Sequence, residues 1–135
     1  MAATLVDSNV LIDSLNADSP WNPWAEDALE EALDRGALFV NQIVYAEVSV
    51  GFQTVEECER ALAGRWVERV PMPWPASFLA GRAFVEYRRC GGAKRSPLPD
   101  FFIGAHAAVD GLRLLTRDPG RYRTYFPAVE LIAPE

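Results

Sequence analysis

Four acidic residues of the 135-residue chain stand where solubility does not call for an acid. Asp7 ends the apolar run Leu5-Val6, and Asp118 follows Leu114-Leu115-Thr116, so each falls just past an expected strand. Glu47 interrupts a helical stretch whose neighbours Ile43, Val44, Ala46, Val48 and Val50 are apolar. A carboxylate there is costly to bury unless it is paired or bound to a cation. Asp100 opens the most hydrophobic helical stretch, Pro99 to Asp110. Each has an ordinary explanation on its own. Asp, Ser and Asn cap helices, Asp-Pro-Gly makes a turn, and a first-turn carboxylate gains a few tenths to about 1 kcal/mol from the helix dipole. Brought together, however, four carboxylates repel, and one or more binds a proton unless a cation neutralises them. All-oxygen ligands suit a hard divalent ion, Mg2+ or Mn2+, and no Cys or His cluster suggests zinc. Such an ion can activate a bound water and neutralise charge on a phosphate during in-line attack.

The elements that must position these acids read as an α/β fold. Short apolar runs at Leu5-Val6, Ala37–Val40, Trp66–Val70, Leu112–Thr116 and Val129–Ile132 are strand candidates. Helical patterns lie between them: one directly after Asp7, then Trp24–Arg35, Gln42 to about Gly51 behind Asn41 as cap, Thr54 to Ala63, Ala76–Arg89, and Pro99–Asp110. Thr54-Val55-Glu56-Glu57 is a capping box. Alternation of this kind predicts a parallel sheet with helices on both faces. All strand carboxyl ends then share one edge, where ligands bind. Asp7 and Asp118 leave that edge, whereas the position of Asp100 relative to it is not set by the rule. With Asp7 committed to a site, Ser8 or Asn9 is the expected helix cap, and Asp13 is expected beyond the turn and away from the cluster. The acids from Glu26 to Asp34 read as a solvated helix face, and the lone His106 as a core residue.

Length and composition bound the rest. The chain reads as one domain, residues 1–135, with a proper core. Cys58 and Cys90 lack metal-ligand spacing and read as free thiols in a reducing cytoplasm. No apolar stretch is long enough for a membrane span, and Asp7 stands where a signal peptide would be apolar. The net charge of −6 argues against a simple basic coating for nucleic acid, but the charge is unevenly spread. Residues 1–68 carry 3 Arg against 13 acids, and residues 69–135 carry 10 Lys and Arg against 6 acids. Two basic clusters, Arg88, Arg89, Lys94, Arg95 and Arg113, Arg117, Arg121, Arg123, could hold a polyanion on one face. Lys94, Arg95 and Arg117 are the expected phosphate-holding residues.

The order Asp7-Ser-Asn-Val-Leu-Ile-Asp, Glu47 within Val-Tyr-Ala-Glu-Val-Ser-Val-Gly, Pro99-Asp100-Phe-Phe-Ile-Gly-Ala-His-Ala, and Thr116-Arg117-Asp118 followed by Phe126 resembles a PIN-domain protein. Within that family it is similar to the VapC-type toxins of toxin–antitoxin pairs. The resemblance covers nearly the whole chain. It implies a three-layer PIN-like fold with about five short, mostly parallel strands, a Mg2+ or Mn2+ site, and cleavage of RNA, single-stranded or in a structured loop. It carries over Asp7, Glu47, Asp100 and Asp118 as catalytic and metal-holding acids, with Asn9 and Thr116 as hydrogen-bonding support. It also implies a homodimer and a small antitoxin protein as partner.

Two other readings compete. Asp7-Ser8-Asn9 nearly matches the Asp-x-Asp opening of haloacid-dehalogenase-like phosphatases, but Asn9 cannot act as the second carboxylate. A non-catalytic partner-binding module would use Trp21-Asn22-Pro23-Trp24 and Pro73-Trp74-Pro75 as its surface, although local packing of those loops explains them as well.

Overall fold

A computed structural model describes residues 2–95 and 98–135. Its centre is β1 (Thr4–Val6), whose residues are all buried. After Asp7 the chain turns into α1 (Ser8–Leu15) and then α2 (Asn22–Arg35). β2 (Leu38–Val40) is followed by α3 (Gln42–Ser49) and α4 (Val55–Ala63). β3 (Val67–Arg69) leads into α5 (Trp74–Arg89) and α6 (Pro99–Asp110). β4 (Arg113–Leu115), α7 (Gly120–Tyr125) and β5 (Leu131–Ile132) complete the chain. The strands form one sheet in the order β3-β2-β1-β4-β5, and every pair is parallel.

This order makes the site. The chain leaves β1 toward β2 and β3 on one side and returns through β4 to β5 on the other. Right-handed crossovers then put α1–α4 on one face and α5–α7 on the opposite face. The crevice at such a reversal, between the ends of β1 and β4, is where open α/β sheets bind ligands. Register is fixed by Leu5 opposite Leu114 and Val6 opposite Leu115, all fully buried, so Asp7 and Thr116 emerge side by side.

Local chemistry explains the flanking helices. Asn41 caps α3 by accepting from the Val44 N–H at 3.0 Å, and Thr54 caps α4 by accepting from the Glu57 N–H at 3.2 Å. The first turn of α6 carries Pro99, and Gly111 ends the helix with φ 64°, a left-handed conformation that suits glycine. Gly104 lets α6 come against the ring of Phe126, since any Cβ there would strike that ring. Buried His106 sits between Asn41 (3.0 Å) and Asp110 (3.1 Å), as a core residue of α6. Burial lowers its pKa against the opposing pull of Asp110.

Several boundaries differ from the sequence reading. α2 starts at Asn22 and α5 at Trp74, because Pro23 and Pro75 fall in first turns, where no N–H is needed. α7 differs from the sequence reading: where Asp118-Pro119-Gly120 reads as a turn, Pro119 caps and Gly120 opens a helix that buries Tyr122. The expected basic loop from Gly91 to Pro97 has Lys94 and Arg95 exposed, and Ser96-Pro97 lie outside the described residues. Trp21 packs edge-on against Trp24 at 6.2 Å, whereas Trp74 is 88% exposed. Cys58 and Cys90 are free. No helix among the described residues is long and apolar enough to cross a membrane.

Candidate acidic site at the sheet edge

Asp7 is the most fully wired group in the crevice. Its Oδ1 accepts from the Ser8 N–H at 2.8 Å, and its Oδ2 accepts from the Thr116 hydroxyl at 2.8 Å and the Tyr122 hydroxyl at 2.9 Å. Asp7 itself is therefore the cap of α1, not Ser8 or Asn9 as the sequence suggested. Capping and participation in the site are not alternatives here: one oxygen faces the helix and the other faces two hydroxyls from β4 and α7.

The polar neighbours of Asp7 link it to the other acids. The Ser8 hydroxyl donates to Glu47 Oε1 at 3.0 Å. The Tyr122 hydroxyl, 2.9 Å from Asp7, is also 3.4 Å from Asp100 Oδ1. The Asn9 amide stands 3.5 Å from Asp7 Oδ2, 3.5 Å from Thr116 Oγ1 and 3.4 Å from Asp118 Oδ2, while its carbonyl accepts the Arg117 N–H at 3.1 Å. Thr116 also accepts the Asp118 N–H at 3.1 Å. Residues just past β1 and β4 are thus linked in one network with residues of α1, α3, α6 and α7. Glu47 is less buried than its sequence surroundings suggested, because α3 buries only one face, with Val44 and Val48 inward.

Electrostatics sharpen the picture. Burial raises the Asp7 pKa, and Asp100 raises it further, against the lowering effect of its hydrogen bonds. Burial likewise raises Glu47, with repulsion from Asp7 and Asp100 added. It raises Asp100 too, with Arg121 and the Tyr122 hydroxyl opposing and Asp118 adding. Tyr122 is held neutral by burial and by the carboxylates around it. Its single proton serves Asp7 and cannot fully serve Asp100 as well. Asp118 differs: its side chain is 75% exposed.

No three His, Cys, Asp or Glu side chains among the described residues stand as a finished metal-holding group. Hydroxyl and amide groups lie between the carboxylates instead. The donor set is nevertheless all oxygen, and its shortage is of positive charge, which is the chemistry a hard divalent cation satisfies.

The arginines separate sharply. Arg117 donates to Asp13 at 2.7 Å, lies over Trp21 at 5.7 Å, and comes within only 4.0 Å of Asp118. Asp13 is buried and fixes Arg117 through this bond, so it is not the idle residue its sequence position suggested. Arg113 is buried at the start of β4, where it donates to Thr4 at 3.1 Å and approaches Glu130 at 3.9 Å, leaving its Nε without a partner among the described residues. The second basic cluster is therefore dispersed. Arg121 is the one member within ion-pair distance of Asp7, Glu47 or Asp100 among the described residues, at 3.5 Å from Asp100.

A profile of the PIN domain matches residues 4–127. The chain belongs to the PIN domain family. No curated protein matches it. The fold is similar to that of VapBC2 from Rickettsia felis bound to a DNA fragment from its promoter, with a TM-score of 0.75, 17% identity, and 98% and 99% of the two chains covered. It is similar to DNA-bound VapBC from Salmonella typhimurium, with a TM-score of 0.69, 19% identity and 98% of each chain covered. It is also similar to Mycobacterium tuberculosis VapC20, described as a sarcin–ricin loop cleaving toxin, with a TM-score of 0.53, 15% identity, and 82% and 85% covered.

Within this PIN domain, sequence reasoning named Asp7, Glu47, Asp100, Asp118, Asn9 and Thr116, and the fold brings all six into one hydrogen-bonded or Coulombically linked group. It read Ser8 only as a possible helix cap and Arg121 only as one of a basic cluster, and it missed Tyr122, an aromatic hydroxyl a few residues past a strand end that no local pattern distinguishes from ordinary packing.

Proposed function

We propose that this PIN-domain protein is a divalent-cation-dependent endoribonuclease and the VapC-type toxin of a toxin–antitoxin pair. The observation that carries the proposal is the convergence of Asp7, Glu47 and Asp100 at the β1/β4 switch point, each raised by burial and repulsion. A cluster short of positive charge at that place is suited to a cation and a phosphate. Asp7 and Asp100, with Asp118 and Glu47, would hold Mg2+ or, as a substitute, Mn2+. When bound, the ion supplies positive charge to the phosphate and a water of lowered pKa.

The side chains of this chain do the remaining work. Thr116 and Tyr122 fix Asp7 Oδ2, while the Ser8 amide fixes Oδ1 and sets the plane of the carboxylate. Asn9 ties the ends of β1 and β4 together. Glu47, hydrogen-bonded to Ser8 and less buried than Asp7, orients the attacking water or joins the ligands. Lys94 and Arg95, exposed before α6, hold flanking phosphates. Arg117 is removed from that role by its bond to Asp13.

The substrate is RNA, single-stranded or in a loop whose bases can be splayed out. The loop cleavage ascribed to the similar mycobacterial toxin supports that class. The similar VapBC complexes support a small antitoxin partner. A homodimer in the cytoplasm completes the proposal.

The test is cleavage of single-stranded RNA with Mn2+. Activity that is lost in excess chelator, restored by Mn2+ and absent in Asp100→Asn supports the reading. Equal activity in chelator sinks it. Growth arrest on expression, relieved by Asp100→Asn or a co-expressed neighbouring gene product, tests the toxin assignment separately.

A further inference from the structure

Arg121 and Arg117 lie four residues apart around the same turn, yet the fold treats them differently. Arg117 makes a 2.7 Å bond to an acid whose side chain is only 9% exposed. Arg121 stands 3.5 Å from Asp100, beyond the length of a strong charged hydrogen bond, and both side chains are more than a third exposed. Among the ion pairs of the described residues, Arg121 alone touches Asp7, Glu47 or Asp100. Its guanidinium is nonetheless oriented, lying 5.9 Å from the Tyr87 ring and 5.8 Å from the Phe101 ring. Those rings belong to α5 and α6, so the group is held on the rim of the acidic site by aromatic faces rather than by a dedicated carboxylate.

We propose that Arg121 is the phosphate-binding arginine of the reaction and that it competes with the divalent cation for Asp100. This rests on the nuclease reading above. A loosely paired, stacked guanidinium is a fork without a tight carboxylate partner, and it matches a phosphate's geometry. While Asp100 lacks a cation, Arg121 supplies part of the missing charge. Once Asp100 turns its charge to a cation, Arg121 has no other carboxylate within ion-pair distance among the described residues and is free for an RNA phosphate at the same rim. Arg123, exposed on the same short helix, has no such partner among the described residues and serves as the comparison.

The two roles predict opposite shifts in one variant. In Arg121→Gln, Mn2+ affinity measured by calorimetry without RNA tightens about threefold to tenfold, because a like charge beside Asp100 is gone. At saturating Mn2+, kcat/KM for single-stranded RNA falls about 10- to 100-fold, with a shallower salt dependence. Arg121→Lys keeps the charge but not the fork. It retains wild-type Mn2+ affinity and recovers only part of kcat/KM. Arg123→Gln leaves Mn2+ affinity unchanged. If the wild-type protein binds Mn2+ and cleaves RNA but Arg121→Gln matches it in either measurement, this inference is overturned and the nuclease reading stands. If the wild-type protein binds no Mn2+, the nuclease reading fails and takes this inference with it.

Discussion

Asp7 and Asp118 occupy equivalent positions in sequence logic, each just beyond an apolar strand, and those strands are neighbours in the sheet. The fold makes them unequal. Asp7 is 4% exposed, with three hydrogen bonds shorter than 3.0 Å and a raised pKa. Asp118 has an exposed side chain, with Asn9 at 3.4 Å and Arg117 at 4.0 Å. The difference lies in how the chain leaves each strand. After β1 it enters α1 at once, so the Asp7 carboxylate is trapped between a helix start and the two hydroxyls opposite. After β4, Thr116 to Asp118 lead to Pro119, the cap of α7, and the Asp118 side chain in that segment is left exposed. Two matching sequence signals thus yield one preset oxygen pair and one adjustable carboxylate. In the proposed site, Asp7 would be the fixed ligand of the cation and the exposed Asp118 a loosely held one.

The largest expected effect is loss of the anchor. Asp7→Ala should lower RNA cleavage by more than about 100-fold, beyond the 10- to 100-fold typical of groups that only orient a ligand. Circular dichroism should show the fold retained. Tyr122→Phe, which keeps the ring and removes one bond to Asp7, should weaken Mn2+ binding by about 10- to 100-fold in calorimetry. If Tyr122→Phe leaves that affinity unchanged, Asp7 is not preset in the way described. Asp118→Ala should cost less than about tenfold in Mn2+ affinity, since few bonds fix its side chain. A loss equal to that of Asp7→Ala would erase the distinction between the two acids.

The pH dependence of stability offers a subtler probe. Asp7, Glu47 and Asp100 have folded-state pKa values above their ordinary values of 3.8, 4.5 and 3.8. The native protein therefore holds protons that the unfolded chain has already released. Without metal, stability should decline as pH rises from about 4 through the raised values. Mn2+ should offset that decline, because it favours the ionised carboxylates. Thermal melts across pH, with chelator and with Mn2+, should give curves that diverge as pH rises. His106, with its lowered pKa, costs stability as pH falls below its ordinary 6.5, but it acts equally in both series and drops out of their difference. The smallest effect on the site should come from Asp13→Ala. It frees Arg117 and should cost about 1–3 kcal/mol of stability while leaving Mn2+ affinity near wild type.

Much of this was legible in the sequence because it depends on short-range patterns. Apolar runs ending in acids marked β1, β4 and their exits, and Asn41 and Thr54 announced α3 and α4. Asp100 was legible only as an oddity at the head of a hydrophobic helix, since no local rule says which edge that helix starts from. The helix carrying Tyr122 was not legible at all. Gly120-Arg121-Tyr122-Arg123-Thr124-Tyr125 has one buried residue and no apolar repeat, so only packing against α6 and the acids makes it a helix. The Asp13–Arg117 pair was invisible for a related reason. Its partners are 104 residues apart, and the pairing exists only because β1 and β4 are neighbours. The arginine clusters misled because sequence proximity does not give a common direction. Arg113 points into the structure at the start of its strand, and Arg117 points to α1.

The central claim is that the preset carboxylate of Asp7 anchors a divalent cation. The most direct measurement is calorimetric titration of Mn2+ into the chelator-stripped wild-type protein and into Asp7→Asn, with melts of both to confirm folding. Saturable binding to the wild type that is abolished in a folded Asp7→Asn protein is the predicted result. Absence of binding to the wild type, or equal binding to Asp7→Asn, would contradict the account.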